Sequence, residues 1–385
     1  MRYIQVIVGY YRTMKKQRRY DIDWIRVIVF DILIIYHVGM FFVPWDWELK
    51  NNEIVEWLEW PMIFVNRWRL SILFVISGMG TRFALSHRSA KQFAGERFKR
   101  LFLPLLAGTL LVVAPQIYLV RVSGGMEYSS YIDFYPDFFN GIYPEGNFSW
   151  GQLWFLPYLL IMSLISIPFF LYLRRQNNAI IMALKNLVKK SPIALYVFIV
   201  PLFFAEVYLE PYFPITHALV GDWYALVHYF ICFLSGFLLI SIGSEFWVAV
   251  KKIKNIAIIV GLISFPIMLW MWDNYLSIFW IPLFASLNRW SWILAILGYS
   301  ATYLNKESSI VNYRNRAVYP FYILHQTLIL IIGFFLMDLP MHYLWKLMIM
   351  IVGTFGGCCV LYEFILKRIK ILQPLFGIKT RANNK

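Results

Sequence analysis

The amino-acid sequence predicts an all-α polytopic membrane protein of about ten transmembrane helices, with both termini cytoplasmic. Three observations carry that expectation: an excess of apolar residues, a series of long uninterrupted apolar runs, and positive charge confined to alternate loops. Of the 385 residues, 60% are hydrophobic, 19% aromatic and only 15% charged; the mean hydropathy is +0.60. A soluble domain is about 45–50% apolar and about 25% charged, so this chain holds more apolar material than one soluble core could hide. Cys232, Cys358 and Cys359 all lie inside apolar runs, which suggests neither a disulfide framework nor a metal site. The N-terminal "IQVIVGYY" is followed by a basic run instead of a small-residue cleavage site, so no cleavable signal peptide is expected.

The apolar runs fall at about 24–44, 60–81, 101–121, 152–173, 192–209, 222–242, 255–272, 280–303, 317–337 and 343–366. Most are long enough to cross, since about 20 residues at a rise of 1.5 Å span the hydrocarbon layer. Strands are disfavoured because the runs are continuous and do not alternate with period two. The N-terminal tail (Arg2 to Arg19), the loops Arg82–Arg100, Arg174–Lys190, Lys251–Lys254 and Lys306–Arg316, and the C-terminal tail (Lys367 to Lys385) together hold 29 of the 36 Lys and Arg residues. All of these segments lie on one side in a ten-span arrangement. The opposite loops hold Lys50 and a series of carboxylates, among them Asp46, Glu48, Glu127, Asp137 and Asp222. The positive-inside rule then puts both termini and the basic loops in the cytoplasm, in a multi-pass protein of the inner membrane. The net charge of +15 is thus a topology signal with some attraction to anionic membrane lipid, and no nucleic-acid partner is expected. The division is a basic tail at 1–22, one membrane domain at 23–367 and a second basic tail at 368–385. The long outer loop at 122–151 is rich in Tyr, Phe, Trp and carboxylates; it is expected to fold over the outer mouth, where rings and acids suit sugar faces, although an interfacial aromatic belt explains the same composition.

The first span carries Arg26, Asp31 and His37, and each charge at the bilayer centre costs about 2.5–3.5 kcal/mol, so such groups face a partner or a wet cavity. At 100° per residue, Arg26 and His37 share one helix face, roughly 20° apart in azimuth and about 16 Å apart along the axis. Asp23 sits one turn from Arg26 and can pair with it, whereas Asp31 points about 140° away and needs a partner elsewhere. A cation near the cytoplasmic mouth and an imidazole deeper on the same face suit a substrate with an anionic head inside and a reactive end pointing outward; a structural Arg–Asp pair plus a hydrogen-bonded histidine is the plainer alternative. In "RWRLSILFVISGMGTRF", Ser77, Gly78 and Gly80 permit close approach by another helix or by a thin ligand, and Arg69 needs a partner. In "ERFKRLFLP", Arg97 and Arg100 stand at i and i+3, and guanidinium forks bind phosphates; a cluster binding lipid headgroups reads the same. His325 with Gln326 is a polar pair in the ninth span, His228 reads as core, and Glu363 near the end of the tenth span lies at the depth of Arg26, where the two could pair across helices.

The series Arg18-x4-Asp23-x2-Arg26-x10-His37, then "FVISGM", Arg97-x2-Arg100 before "LP", "LWFL", "YPFYILHQ" and "LYEFILKR" resembles membrane acyltransferase family 3 over nearly the whole chain, and within it the periplasmic-glucan succinyltransferase branch. That branch can carry His at the position of Gln152. The resemblance implies an acyltransferase that uses acyl-CoA as co-substrate, with no tightly bound cofactor, to acylate (acetyl or succinyl) a hydroxyl of an extracytoplasmic glycan. It implies that Arg97, Arg100 and Arg26 hold the CoA phosphates and that the pantetheine arm passes Ser77 and Gly78. It further implies a thioester near His37 as general base, with Arg26 and Asp23 beside it in the catalytic set; Arg69, Arg289 and His325 are candidates for the acceptor side. A transporter or flippase for a glycan or anionic metabolite would account equally for ten spans with buried charge, but the Gly/Pro-broken spans that mark paired repeats are absent from corresponding places in the two halves. A purely structural membrane partner leaves the shared face of Arg26 and His37 unexplained.

Overall fold

The computed structural model describes residues 18–274 and 279–378; most of the N-terminal basic tail and the last basic residues of the C-terminal tail lie outside the described residues. The described chain is helical throughout, with one isolated bridge (Ile142 to Phe148) and no strand among the described residues. Ten helical stretches correspond to the ten apolar runs: α1 (Tyr20–Met40), α2 (Glu56–Leu85), α3 (Ala90–Ser123), α4 (Gly151–Ile165 continued by Ile167–Leu173), α5 (Pro192–Tyr208), α6 (Trp223–Ser241), α7 (Ser244–Asp273), α8 (Trp280–Tyr303), α9 (Ser309–Leu336) and α10 (Tyr343–Leu366). Seven of these (α2, α3 and α6 to α10) are long and apolar enough to cross a membrane, and α4, bent by 56°, makes an eighth if its two halves form one span. Of the other two, α1 carries Asp21, Asp23, Arg26 and Asp31, and α5 is short.

Several helices start earlier than their apolar runs. Ser89 and Gln92 form a reciprocal capping box, which satisfies the orphan donors of a helix start and begins α3 eleven residues before position 101. Similarly, α7 includes Lys251, Lys252 and Lys254, and α9 includes Arg314 and Arg316. Charge marks where a helix leaves the apolar layer, not where its backbone hydrogen bonds end.

The first helix is central, packing against α2, α8, α9 and α10. Its last turn is followed by Lys50, whose Nζ donates to the carbonyls of Met40 (2.8 Å) and Trp45 (2.9 Å). This lysine thereby closes the helix end that carries His37, consistent with a cation at a negative helix terminus. The helices α2 and α6 approach closely at two glycines: an added Cβ on Gly78 would lie 1.8 Å from the Phe233 carbonyl oxygen, and one on Gly236 would lie 1.9 Å from that of Val75. The 122–151 loop is ordered around fully buried Phe134 and Phe138. It is tied down by Tyr143, which donates to Glu48 (2.9 Å), and by Trp150, which donates to the His217 carbonyl (3.0 Å).

Candidate active site

Arg26 and His37, on one face of α1, both meet α9. Arg26 donates to Asn315 (2.9 Å) and Asp23 (3.2 Å), and Asn315 closes the group by donating to Asp23 (3.0 Å). Ten residues further along α9, fully buried His325 meets His37: Nδ1 of His37 is 2.7 Å from Nε2 of His325, edge to edge, with ring centroids 5.0 Å apart and planes within 8° of parallel. Asp31, expected to find its partner elsewhere, pairs with Arg314 of the same α9, because the long guanidinium arm reaches round the helix.

The proton arrangement of this pair follows from its second contact. Nδ1 of His325 lies 2.7 Å from the Tyr322 carbonyl oxygen. A carbonyl can only accept, so in the neutral rings Nδ1–H of His325 donates to it and Nε2 of His325 is left as an acceptor. Nδ1–H of His37 donates to that nitrogen, and the lone pair of His37 then sits on Nε2. His37 is partly exposed, so Nε2 belongs to a ring that is accessible while its partner is not.

From this pair, rings lead along α9 toward the basic end. His325, Tyr322 and Tyr319 follow at three-residue intervals, with centroids 6.1 Å and 6.3 Å apart, and the Tyr319 hydroxyl donates to the Arg100 carbonyl (2.8 Å). Arg97 donates to Thr81 (2.7 Å), and Thr81 donates to the Ser77 carbonyl (2.8 Å). Arg97, Arg100 and Ser77 are therefore brought to one end of the ring ladder. The region Phe98–Phe102 is a π-helical turn, a feature frequent at functional sites.

On the other side of His37 the surroundings are aromatic. Tyr36 makes edge contact with His37 (6.0 Å), and the Arg69 guanidinium lies over the Tyr36 ring, 3.3 Å from its centroid. His217, in the loop before α6, stacks on Trp154 at 3.9 Å. Burial and the nearby Arg69 guanidinium push its imidazole down to about 4, against the opposing pull of Asp222, so it is neutral at physiological pH.

One expected pairing, that of Glu363 with Arg26, is corrected, and three other candidates are placed by their contacts. The Phe233 carbonyl fills the space that the missing Cβ of Gly78 leaves, so Gly78 serves the packing of α2 on α6. The open side of α2 is that of Ser77 and Gly80, where an added Cβ at Gly80 would meet nothing within 4 Å. Glu363 does not pair with Arg26: Lys367, one turn on, takes it at 2.7 Å, and Tyr313 donates to it at 2.7 Å. Arg289 is not free to face an acceptor, since it is buried in an ion pair with Glu206 and donates to the Arg67 carbonyl (2.9 Å), bracing α8 to α5 and α2. His325, grouped with the acceptor-side candidates, is the direct partner of His37. Gln152 is absorbed into the fold, donating to the Ile323 carbonyl (2.8 Å) and accepting from Gln116 (3.1 Å). Tyr319, Tyr322, Asn315 and His217 belong to this neighbourhood but were not singled out from sequence. The three-residue repeat Tyr319, Tyr322, His325 within "YPFYILHQ" was the available signal for two of them; His217 had none.

The chain is 25% identical over 166 residues to the Glucans biosynthesis protein C of Escherichia coli K12 and to that of Shigella dysenteriae serotype 1; the alignment covers 42% of this chain and 41% of each relative. The chain thus matches about two fifths of the length of these curated relatives. No solved structure matches it. A family profile described as an acyltransferase domain, that of acyltransferase 3, matches residues 19–363. The chain therefore belongs to the acyltransferase 3 family.

Proposed function

We propose that the protein is an integral membrane O-acyltransferase that moves an acyl group from cytoplasmic acyl-CoA to a hydroxyl of a glycan on the far side of the inner membrane. In this reading all ten helical stretches serve as spans, the basic end and both termini are cytoplasmic, and acyl-CoA is a co-substrate. The observation that carries it is the series of contacts from the Arg100 carbonyl through Tyr319, Tyr322 and His325 to His37, with Arg97 one turn before Arg100 and held by Thr81. A glycan acceptor is supported by the relatives, which are named for glucans biosynthesis.

Arg97 and Arg100 hold the CoA phosphates, and the thin pantetheine arm runs along the open side of Ser77 and Gly80 toward His37. The acceptor hydroxyl approaches from the aromatic end, under the 122–151 loop. Nε2 of His37 takes its proton as the oxygen attacks the thioester carbonyl carbon. The carbon–sulfur bond then breaks, and the imidazolium passes the proton to the departing thiolate, leaving an ester and free CoA. His325 acts as a positioning residue that keeps the lone pair of His37 on Nε2.

The test is purified protein in detergent given acyl-CoA and a glycan, followed by free thiol and by glycan ester. His37→Ala is expected to lower turnover by about 10²–10⁴-fold while CoA still binds. Undiminished transfer by that variant overturns the assignment, and failure of both proteins to bind CoA favours transport instead.

A further inference from the structure

Arg69 is 5% exposed and differs from the other well-buried arginine in its lack of a counter-charge. Arg289 has Glu206, and the less buried Arg26 and Arg314 have Asp23 and Asp31. All 21 Asp and Glu residues of the sequence lie among the described residues, and none of the ion pairs there includes Arg69. One of its amino groups donates to Asn66 at 3.2 Å, while its Nε and Nη1 are buried without a hydrogen-bond partner. A guanidinium offers five donors in a planar fork, and a buried unpaired cation is costly, so intramembrane charges of this kind mark ligand sites. The unfilled donors belong to a group only one aromatic ring from His37, through Tyr36. His217 beside it is neutral and supplies no competing charge.

We propose that Arg69 is a carboxylate receptor: one edge of its guanidinium, pairing the free Nε or Nη1 donor with the second hydrogen of Nη2, binds the carboxylate of one substrate while the reacting carbonyl or hydroxyl of that substrate lies at His37. This rests on the acyltransferase reading and deepens it, because it makes one substrate an acid. The carboxylate belongs either to the far end of a dicarboxylic acyl group or to an acidic sugar of the acceptor.

Wild type, Arg69→Gln and Arg69→Lys are compared with acetyl-CoA and succinyl-CoA as donors, each with a neutral glucan and a uronic-acid-containing glycan. The expected result is a loss of kcat/KM of about 10–100-fold in Arg69→Gln confined to the pairings that bear the carboxylate, with partial rescue in Arg69→Lys. Loss confined to succinyl-CoA assigns the carboxylate to the donor; loss confined to the uronic glycan assigns it to the acceptor. Equal loss in every pairing, or no loss, overturns the proposal. Thermal unfolding in detergent with succinate or glucuronate, against succinamide or glucose, gives a second measurement independent of turnover. If the wild type transfers no acyl group, the enzyme reading fails, yet stabilisation by a carboxylate that Arg69→Gln abolishes still upholds the receptor. Absence of such stabilisation in the wild type overturns it.

Discussion

In the proposed chemistry two imidazoles take different roles because their contacts differ. His325 is sealed, with one nitrogen on a backbone carbonyl and the other on His37, whereas His37 is partly exposed. A positioning role has a specific kinetic consequence. Replacing His325 by Ala removes the acceptor that fixes the tautomer of His37, so kcat is expected to fall about 10–100-fold while KM for acyl-CoA stays within about twofold, and the pH profile of kcat is expected to change. A parallel rise of KM and loss of folded protein would instead make His325 a packing residue. The shared face of Arg26 and His37 was legible from residue spacing alone, since a helix repeats its azimuth on a fixed angle. What lay across from that face was not legible: His325 and Asn315 are close to α1 only through the packing of α9, and the partners of Glu363 and Arg289 were settled by a nearer lysine and by a carboxylate on another helix.

At the scale of the helix, α2 has two glycines of opposite meaning two residues apart. Gly78 is pressed on the backbone of α6, which cannot move aside as a side chain can, whereas Gly80 faces open space. Gly78→Ala is expected to destabilise the protein by about 1–3 kcal/mol, seen as a lower unfolding temperature in detergent. Gly80→Ala is expected to leave stability unchanged or slightly raised, because alanine is the better helix former. The opposite ranking would contradict the packing of α2 on α6. The sequence motif "SGMG" announced small-residue packing but not which glycine performed it, since that depends on the rotation of α2 against its neighbour. Helix starts were displaced for a related reason: apolar runs report burial, and α3, α7 and α9 continue beyond them on hydrogen bonds and caps that hydropathy does not see.

For the whole molecule, the proposed reaction has one side of the bundle feed the other. The basic end gathers Arg97 and Arg100, the ladder of Tyr319, Tyr322 and His325 crosses the interior, and the aromatic loops cover the far end. Composition and charge asymmetry made the all-helical membrane class legible, because both follow from the bilayer as solvent and not from any particular tertiary contact. The decisive measurement uses sealed proteoliposomes with the protein in one orientation, labelled acyl-CoA present only at the basic face and a glycan enclosed only at the aromatic face. Acylated glycan is expected to accumulate in the glycan compartment, with unesterified CoA thiol released in equal amount on the donor side. Transfer that requires both substrates in the same compartment would contradict a path from the arginines to His37 through the bilayer.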